Sequence, residues 1–125
     1  SILSKHYKKK VILIDRFTDS TIAYQHYGMG INKNLIIKLN KIILKDIKPT
    51  FTFLNTVSMK NLKSRINKRV KNRYDTFNNN FYKNVQNGFI KLAKNKQNYK
   101  IIDSNLSISK NKEIIIKKVN SILSI

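Results

Sequence analysis

The apolar run VILI at residues 11–14 is the feature that most restricts the fold of this chain. Three lysines precede it and Asp15 and Arg16 end it, so its apolar residues do not alternate with polar ones. A continuous apolar run of this length is typical of a strand that is buried on both faces of a parallel sheet. We therefore predict a strand over 11–15 and an α/β fold in which helices cover both faces of the sheet.

Helical and strand patterns alternate along the rest of the chain. Apolar residues recur at three- and four-residue spacing after Asn34, a stripe that the single Pro49 ends, and at 4-4-4-3 spacing from Phe77 to Leu92. Aromatic and β-branched residues mark the strands TFTFLNTV and YKIID. The predicted elements are strands at 11–15, 50–57 and 99–103 and helices at 20–27, 33–46, around Leu62, Ile66 and Arg69, 77–92 and 109–123. Since three strands make a thin parallel sheet, the pattern favours the later part of an α/β domain.

The charge of the chain suggests a polyanionic partner without identifying it. Lys and Arg total 26 against six Asp and Glu, a net charge of +20, which favours nucleic acid, phosphates or an anionic membrane surface. Four of the basic residues are Arg, and the excess of Lys, Asn and Ile is typical of drift toward A/T-rich codons. A basic RNA-binding protein is the alternative function, although most Tyr and Phe residues lie on predicted core stripes and the sequence contains no RNA-recognition signature.

Several kinds of site are excluded by composition. The sequence has no Cys, which excludes disulfides and thiolate metal sites, and its two His cannot form a zinc site alone. Its apolar runs are far shorter than the roughly 20 residues that cross a bilayer, and its start has no signal-peptide pattern. The composition is therefore compatible with a cytoplasmic protein, and we expect no membrane partner.

The residues after the apolar run form the first candidate site. Asp15 and Arg16 would lie at the carboxyl edge of the sheet, where ligands of open α/β folds bind. Arg16 suits a phosphate because its planar group donates two parallel hydrogen bonds, and Asp15 can orient a Mg²⁺ water or the arginine. The next helix adds the hydroxyl of Ser20, the ring of Tyr24 and the amide of Gln25. The structural alternatives are an Asp15–Arg16 salt link and a core position for Tyr24.

A second candidate site contains three of the four arginines. Arg65, Arg69 and Arg73 repeat every four residues, with Asp75 following. This spacing advances about 400° on a helix, so the three would share one face. Three of the four arginines lie within nine residues of a chain otherwise rich in lysine, which indicates that guanidinium geometry is needed there. The alternative is a solvated basic helix face.

Residues 15–30 closely resemble the signature of the thymidylate kinase family, which phosphorylates dTMP with ATP. They read D-R-F-x-D-S-T-x-A-Y-Q-x-Y-G-x-G. Lys48-Pro49 followed by TFTFL resembles the family's next strand, Arg65 to Asp75 its lid and IIDSN its last strand. The family's phosphate loop, G-x-x-x-x-G-K-[ST], lies upstream of the signature and does not occur in this sequence. We therefore interpret 1–125 as the C-terminal portion of one domain.

The resemblance implies both an architecture and a set of roles. The fold would be a parallel-sheet P-loop NTPase of the nucleoside monophosphate kinase type, incomplete, with three of the expected five strands. Residues 11–30 would form the dTMP site and 60–76 the lid. The implied roles are catalysis for Asp15, Arg16, Arg69 and Arg73, substrate binding for Arg16, Ser20, Tyr24 and Gln25, lid contacts for Arg65, Arg69, Arg73 and Asp75, and metal binding for Asp15.

The resemblance also implies ligands and partners. ATP and Mg²⁺ would serve the reaction, dTMP would accept the phosphoryl group, and the full-length enzyme would be a homodimer without a specific nucleic-acid partner. The isolated 125 residues are expected to be inactive, because the loop that holds the transferring phosphates is not among them.

Overall fold

The computed structural model describes residues 2–68, 70 and 77–125, in which helices outnumber strands. In chain order the elements are α1 (Ile2–His6), α2 (Thr18–Thr21), a π-helix (Ile22–Gly28), α3 (Lys33–Leu44), β1 (Thr52–Thr56), α4 (Met59–Asn67), α5 (Asn79–Ala93), β2 (Tyr99–Asp103) and α6 (Ile108–Leu123). The helices predicted over 33–46, 77–92 and 109–123 and the strands predicted over 50–57 and 99–103 are confirmed, with ends that differ by a few residues.

Four helices begin at a residue whose side chain accepts hydrogen bonds from the first turn. Asn32 caps α3, Ser58 caps α4, Asn78 caps α5 and Ser107 caps α6. Each cap satisfies a backbone N–H that has no partner within the helix, which is why short polar side chains are favoured there. The polar residues between the apolar stripes therefore determine where these helices start.

The sheet consists of β1 and β2, which pair in parallel from Thr52 opposite Tyr99 to Thr56 opposite Asp103. Leu54 and Ile102 are its buried side chains. The parallel pairing and the α/β class agree with the sequence analysis. Because both strands run the same way, their carboxyl ends and the loops that follow lie at one edge of the sheet.

The core lies where the π-helix packs against α5. Ala23, Phe81 and Val85 are buried there together. The two helices approach closely because of glycine: a Cβ at Gly28 would lie 2.6 Å from Phe81 Cε2, and a Cβ at Gly88 would overlap the ring of Tyr27. This contact between the two helices supports the signature segment, residues 15–30.

The prediction of a strand over 11–15 is wrong. Val11 is 67% exposed and Leu13 is 89% exposed, and the sheet formed by the described residues contains no strand from this segment. A strand buried on both faces needs neighbouring strands for its backbone and covering layers for its side chains. The described part of the chain supplies neither, so an apolar pattern alone does not make this segment a strand, and two strands form where three were predicted.

The helix predicted over 20–27 also differs in its geometry. It begins at Thr18 and continues from Ile22 to Gly28 as a π-helix. Thr18 and Asp19 lie inside its first turn, and Phe17 occupies the N-cap without a side-chain capping bond. A π-helix bonds residue i to i+5, a pattern that apolar spacing does not reveal, and such segments are frequent at functional sites.

Candidate functional site

The turn between the apolar run and α2 holds Arg16 in an unusual backbone conformation. Arg16 has a φ of 61°, in the left-handed region. This region is unfavourable by about 1–2 kcal/mol for residues with a Cβ. Such conformations persist where neighbouring contacts fix them, and they cluster at binding sites. Lys8, Lys45, Asn95 and Ser124 also have a positive φ, so the conformation of Arg16 supports its role only together with the side-chain contacts of the turn.

Arg16 contacts two of the other predicted site residues. Its Nε donates a hydrogen bond to Ser20 Oγ at 3.3 Å, and its Cζ lies 4.5 Å from the centre of the Tyr24 ring. The hydroxyl fixes one edge of the guanidinium, and the aromatic face attracts the cation. These contacts leave both terminal nitrogen atoms of Arg16 without a hydrogen-bond partner among the described residues. The structure thus brings Arg16, Ser20 and Tyr24 together with donors that can still bind an anion.

Tyr24 is held on its other side by α5. Its ring makes edge contacts with Phe81, at 5.9 Å between centres, and with Phe89, at 6.4 Å. Tyr24 is half-buried, so it is both a core residue and the surface on which Arg16 rests. These contacts support the core interpretation of Tyr24, and its contact with a substrate stays a prediction.

Gln25 follows Tyr24 in the π-helix and is half-buried. Its backbone carbonyl accepts a hydrogen bond from Ile31 N at 2.8 Å, and His26 Nδ1 lies 2.9 Å from Ile31 O. These bonds connect the residues after the π-helix back to its last turns and fix the backbone at Gln25. Its amide remains a candidate contact for a nucleoside.

Asp15 is exposed and precedes the left-handed turn. The described residues contain no cluster of three or more His, Cys, Asp or Glu that could enclose a metal ion. Mg²⁺ normally binds to proteins through one or two carboxylates together with waters and substrate phosphates. A single exposed carboxylate beside a candidate phosphate site fits that mode of binding.

A contact between Asp19 and Tyr99 was not predicted from the sequence. The Tyr99 hydroxyl at the start of β2 donates a hydrogen bond to Asp19 Oδ2 in α2. Desolvation by burial, followed by the hydrogen bond and the charge of Asp19, raises the pKa of Tyr99 to about 12. Eighty residues separate the partners, so no local pattern could have revealed the pair; the one available signal was the position of Asp19 inside the signature.

Arg65 has a different environment from Arg16. It lies on α4, and its Nη2 donates a hydrogen bond of 2.6 Å to the backbone oxygen of Ser104, after β2. This bond attaches α4 to the loop at the carboxyl edge of the sheet. Arg69, Arg73 and Asp75 lie outside the described residues, and so does most of the second half of the lid predicted over 60–76.

The loop after β2 contains further contacts that the sequence analysis missed. Asn105 Oδ1 accepts hydrogen bonds from Ser58 N at 3.1 Å and Asn61 Nδ2 at 2.9 Å, while Asn105 N donates to Asp103 Oδ1 at 2.9 Å. These bonds join the loops that follow both strands. The match of IIDSN to the family's last strand indicated the strand but not the role of Asn105 in fixing the adjacent loop.

The family model for thymidylate kinase matches residues 1–115. The chain belongs to the thymidylate kinase family. Its similarity to the thymidylate kinase of Ehrlichia canis (strain Jake) is 42% identity over 102 residues, which cover 81% of this chain and 48% of that protein. The thymidylate kinase of Wolbachia sp. subsp. Brugia malayi (strain TRS) is 35% identical over 115 residues, or 92% of this chain and 55% of that protein.

A solved structure agrees with the sequence matches. The crystal structure of thymidylate kinase from Ehrlichia chaffeensis matches 95% of this chain and 54% of that chain, with a TM-score of 0.68 and 32% identity. The fold is thus the α/β fold of a thymidylate kinase, and the chain spans about half the length of the relatives that it matches. None of the helices in the described ranges has both the length and the apolar character needed to cross a membrane.

Proposed function

We propose that this chain is part of a thymidylate kinase, which transfers the terminal phosphoryl group of ATP to dTMP and produces dTDP and ADP. The observation that carries the proposal is the guanidinium of Arg16, fixed by Ser20 and Tyr24 with its terminal donors free among the described residues, inside a signature that the family match covers. The matched relatives named here are thymidylate kinases. No finding favours the RNA-binding alternative.

Arg16 would bind the phosphate of dTMP. A phosphate that accepts hydrogen bonds from both terminal nitrogen atoms is held in a fixed orientation. The contacts of Arg16 with Ser20 and Tyr24 support this role, because a guanidinium already held in place loses less freedom when it binds. Tyr24 and Gln25 would contact the nucleoside, and Ser20 would hold Arg16 at the edge of the site.

Asp15 and the lid would serve the other phosphates. Mg²⁺ bound to ATP neutralises charge on the phosphates when it is present. Asp15 would hold one of the waters of that ion or orient Arg16. Arg69 and Arg73 would donate to the ATP phosphates in the closed lid, with Asp75 as their neighbour, and Arg65 would matter least, since it already bonds to Ser104.

The assembly and location of the enzyme are also part of the proposal. A cytoplasmic homodimer would fit a chain whose helix α3 exposes Leu35 by 52%, Leu39 by 49% and Ile42 by 72%, because apolar residues at four- and three-residue spacing mark a face that packs against a partner. The proposed reaction needs no specific nucleic acid, and the net charge of +20 is then a general property of a lysine-rich composition.

The test is a chimera in which the upstream part of the Ehrlichia canis thymidylate kinase precedes Ser1 of this chain. We expect dTMP-dependent release of ADP from the chimera in a coupled assay, and no turnover from the 125-residue chain alone. A well-folded chimera that does not phosphorylate dTMP would contradict the proposal, whereas dTMP-dependent turnover by the isolated chain would contradict only the expectation that these 125 residues are inactive alone. The native Ehrlichia enzyme is the positive control.

A further inference from the structure

The contact between Tyr99 and Asp19 attaches the signature to the sheet. Tyr99 is the first residue of β2, and its hydroxyl donates to a carboxylate in the short helix α2. Burial, followed by the hydrogen bond and the charge of Asp19, raises the pKa of Tyr99 to about 12, against a smaller lowering by the Thr52 side chain. The phenol therefore stays protonated, and remains a hydrogen-bond donor, throughout the physiological range.

The turn that carries Arg16 depends on contacts from outside the turn. Arg16 has a left-handed φ, α2 is four residues long, and Phe17 at its N-cap makes no side-chain capping bond. A backbone in this region persists when the surrounding structure fixes it. The Asp19–Tyr99 bond is such a contact, since it holds a residue only three positions after Arg16 to a strand from a distant part of the chain.

The bond to Tyr99 also keeps the Asp19 carboxylate from pairing with Arg16. In the structure this carboxylate accepts from Tyr99, while Arg16 Nε donates to Ser20. A carboxylate without its phenol partner would attract the nearby guanidinium, because charge-assisted hydrogen bonds between these groups are strong. A pair between Asp19 and Arg16 would then compete with a phosphate for the same donors.

We propose that Tyr99 and Asp19 are positioning residues, which hold the turn at Arg16 and keep its guanidinium free for the phosphate of dTMP. The inference rests on the proposed function, because it takes dTMP as the ligand of Arg16. Neither residue needs to touch the substrate. Losing their bond lets Arg16 occupy a state that cannot bind phosphate, and the apparent affinity falls by the fraction of molecules in that state.

The first arm of the test is steady-state kinetics of the chimera described above. Tyr99→Phe removes the hydroxyl and keeps the ring. We expect its KM for dTMP to rise about tenfold, as for a lost hydrogen bond to a charged group, while kcat and the KM for ATP change by less than about twofold, because saturating dTMP restores the competent state. Tyr7→Phe is the matched control: its hydroxyl also joins distant parts of the chain, with Asp46 O and Lys48 N as partners, and its loss should leave the KM for dTMP unchanged.

Two substitutions at Asp19 separate the effect of its negative charge from the effect of its hydrogen bond with Tyr99. Asp19→Asn keeps an oxygen that accepts from Tyr99, so we expect a KM for dTMP close to that of the parent. Asp19→Ala removes both the acceptor and the carboxylate that would pair with Arg16, so only the anchor of the turn is lost and the KM for dTMP should rise, but by less than in Tyr99→Phe. A parent-like KM for dTMP in both Tyr99→Phe and Asp19→Ala would overturn the positioning role.

The second arm does not depend on kinase activity. The Nε–H resonance of Arg16 reports its bond to Ser20 and can be assigned from its loss in Arg16→Lys. We expect Tyr99→Phe, but not Tyr7→Phe, to shift this resonance in the absence of substrate. An inactive parent chimera refutes the proposed function alone, whereas an unshifted Arg16 resonance in Tyr99→Phe overturns the positioning role in an active enzyme as well.

Discussion

Arg16 and Arg65 carry the same guanidinium group, but the structure gives the two groups different surroundings. Arg16 is held by a side-chain hydroxyl and an aromatic face, and its terminal donors have no hydrogen-bond partner among the described residues. Arg65 uses a terminal donor to bind Ser104 O, which attaches α4 to the next loop. One arginine thus keeps terminal donors that an anion can use, whereas a terminal donor of the other already has a structural partner.

The helix that supports Arg16 and the helix that carries Arg65 differ as well. Arg16 rests on Tyr24, which belongs to the π-helix packed against α5 through Gly28 and Gly88. Helix α4, which carries Arg65, has no fully buried residue. The comparison teaches that a resemblance to a motif identifies candidate arginines, and that their contacts then decide which of them can bind an anion.

The largest expected effect is a difference in dTMP kinetics between the Arg16 and Arg65 variants of the chimera. Arg16→Lys keeps the charge but removes the planar pair of donors, so the KM for dTMP should rise and turnover should fall because the acceptor is misplaced. We expect kcat/KM for dTMP to decrease about 10- to 100-fold, the range for a charge-assisted hydrogen bond. Arg65→Lys is the matched control and should change it by less than about threefold, since Lys can also donate to a backbone oxygen. Equal losses in both variants would remove the distinction between the two sites.

A second substitution tests the packing of the π-helix against α5, which supports Arg16 through Tyr24. Gly88→Ala places a Cβ against the Tyr27 ring, with 2.6 Å to Cγ, and forces the π-helix away from α5. We expect a loss of about 1–3 kcal/mol in the free energy of unfolding, as for overpacked cores, together with a higher KM for dTMP. Asn87→Ala, at the exposed neighbouring position, is the control, and urea unfolding is the measurement. A parent-like stability for Gly88→Ala would show that the two helices are not packed this closely.

The smallest expected effect is a pH dependence from Tyr99. Its pKa is raised from 10.0 to about 12, so folding favours the protonated phenol. The stabilisation is complete below pH 10 and is lost as the pH rises through about 12. Asp19 faces the hydroxyl, and Lys96 lies 4.8 Å from the ring centre, a contact that Phe keeps. The stability difference between the parent and Tyr99→Phe should shrink across that range, and a difference that is constant with pH would contradict the assignment.

The sequence predicted which side chains lie beside Arg16 and where two of the strands form. Ser20 and Tyr24 follow Arg16 at four and eight positions, so a helix after the turn is enough to place them near it, and the structure confirms that proximity. The alternation of residue types likewise predicted β1 and β2, because these strands find each other within the chain.

The errors arose where structure depends on partners or on long-range contacts. The apolar run at 11–14 predicts burial, but its pattern cannot show whether neighbouring strands are present. The π-helix differs from an α-helix in its backbone bonds rather than in its apolar spacing. The Asp19–Tyr99 bond joins positions that no local pattern connects.

The most direct test of the central claim follows the Nε–H resonances of Arg16 and Arg65 in the chimera during titration with dTMP and with thymidine, which lacks the phosphate. If Arg16 binds the phosphate, its resonance should shift with dTMP and much less with thymidine, while that of Arg65 should stay in place because its guanidinium already bonds to Ser104. A dTMP-dependent shift of Arg65 with none at Arg16 would contradict the account.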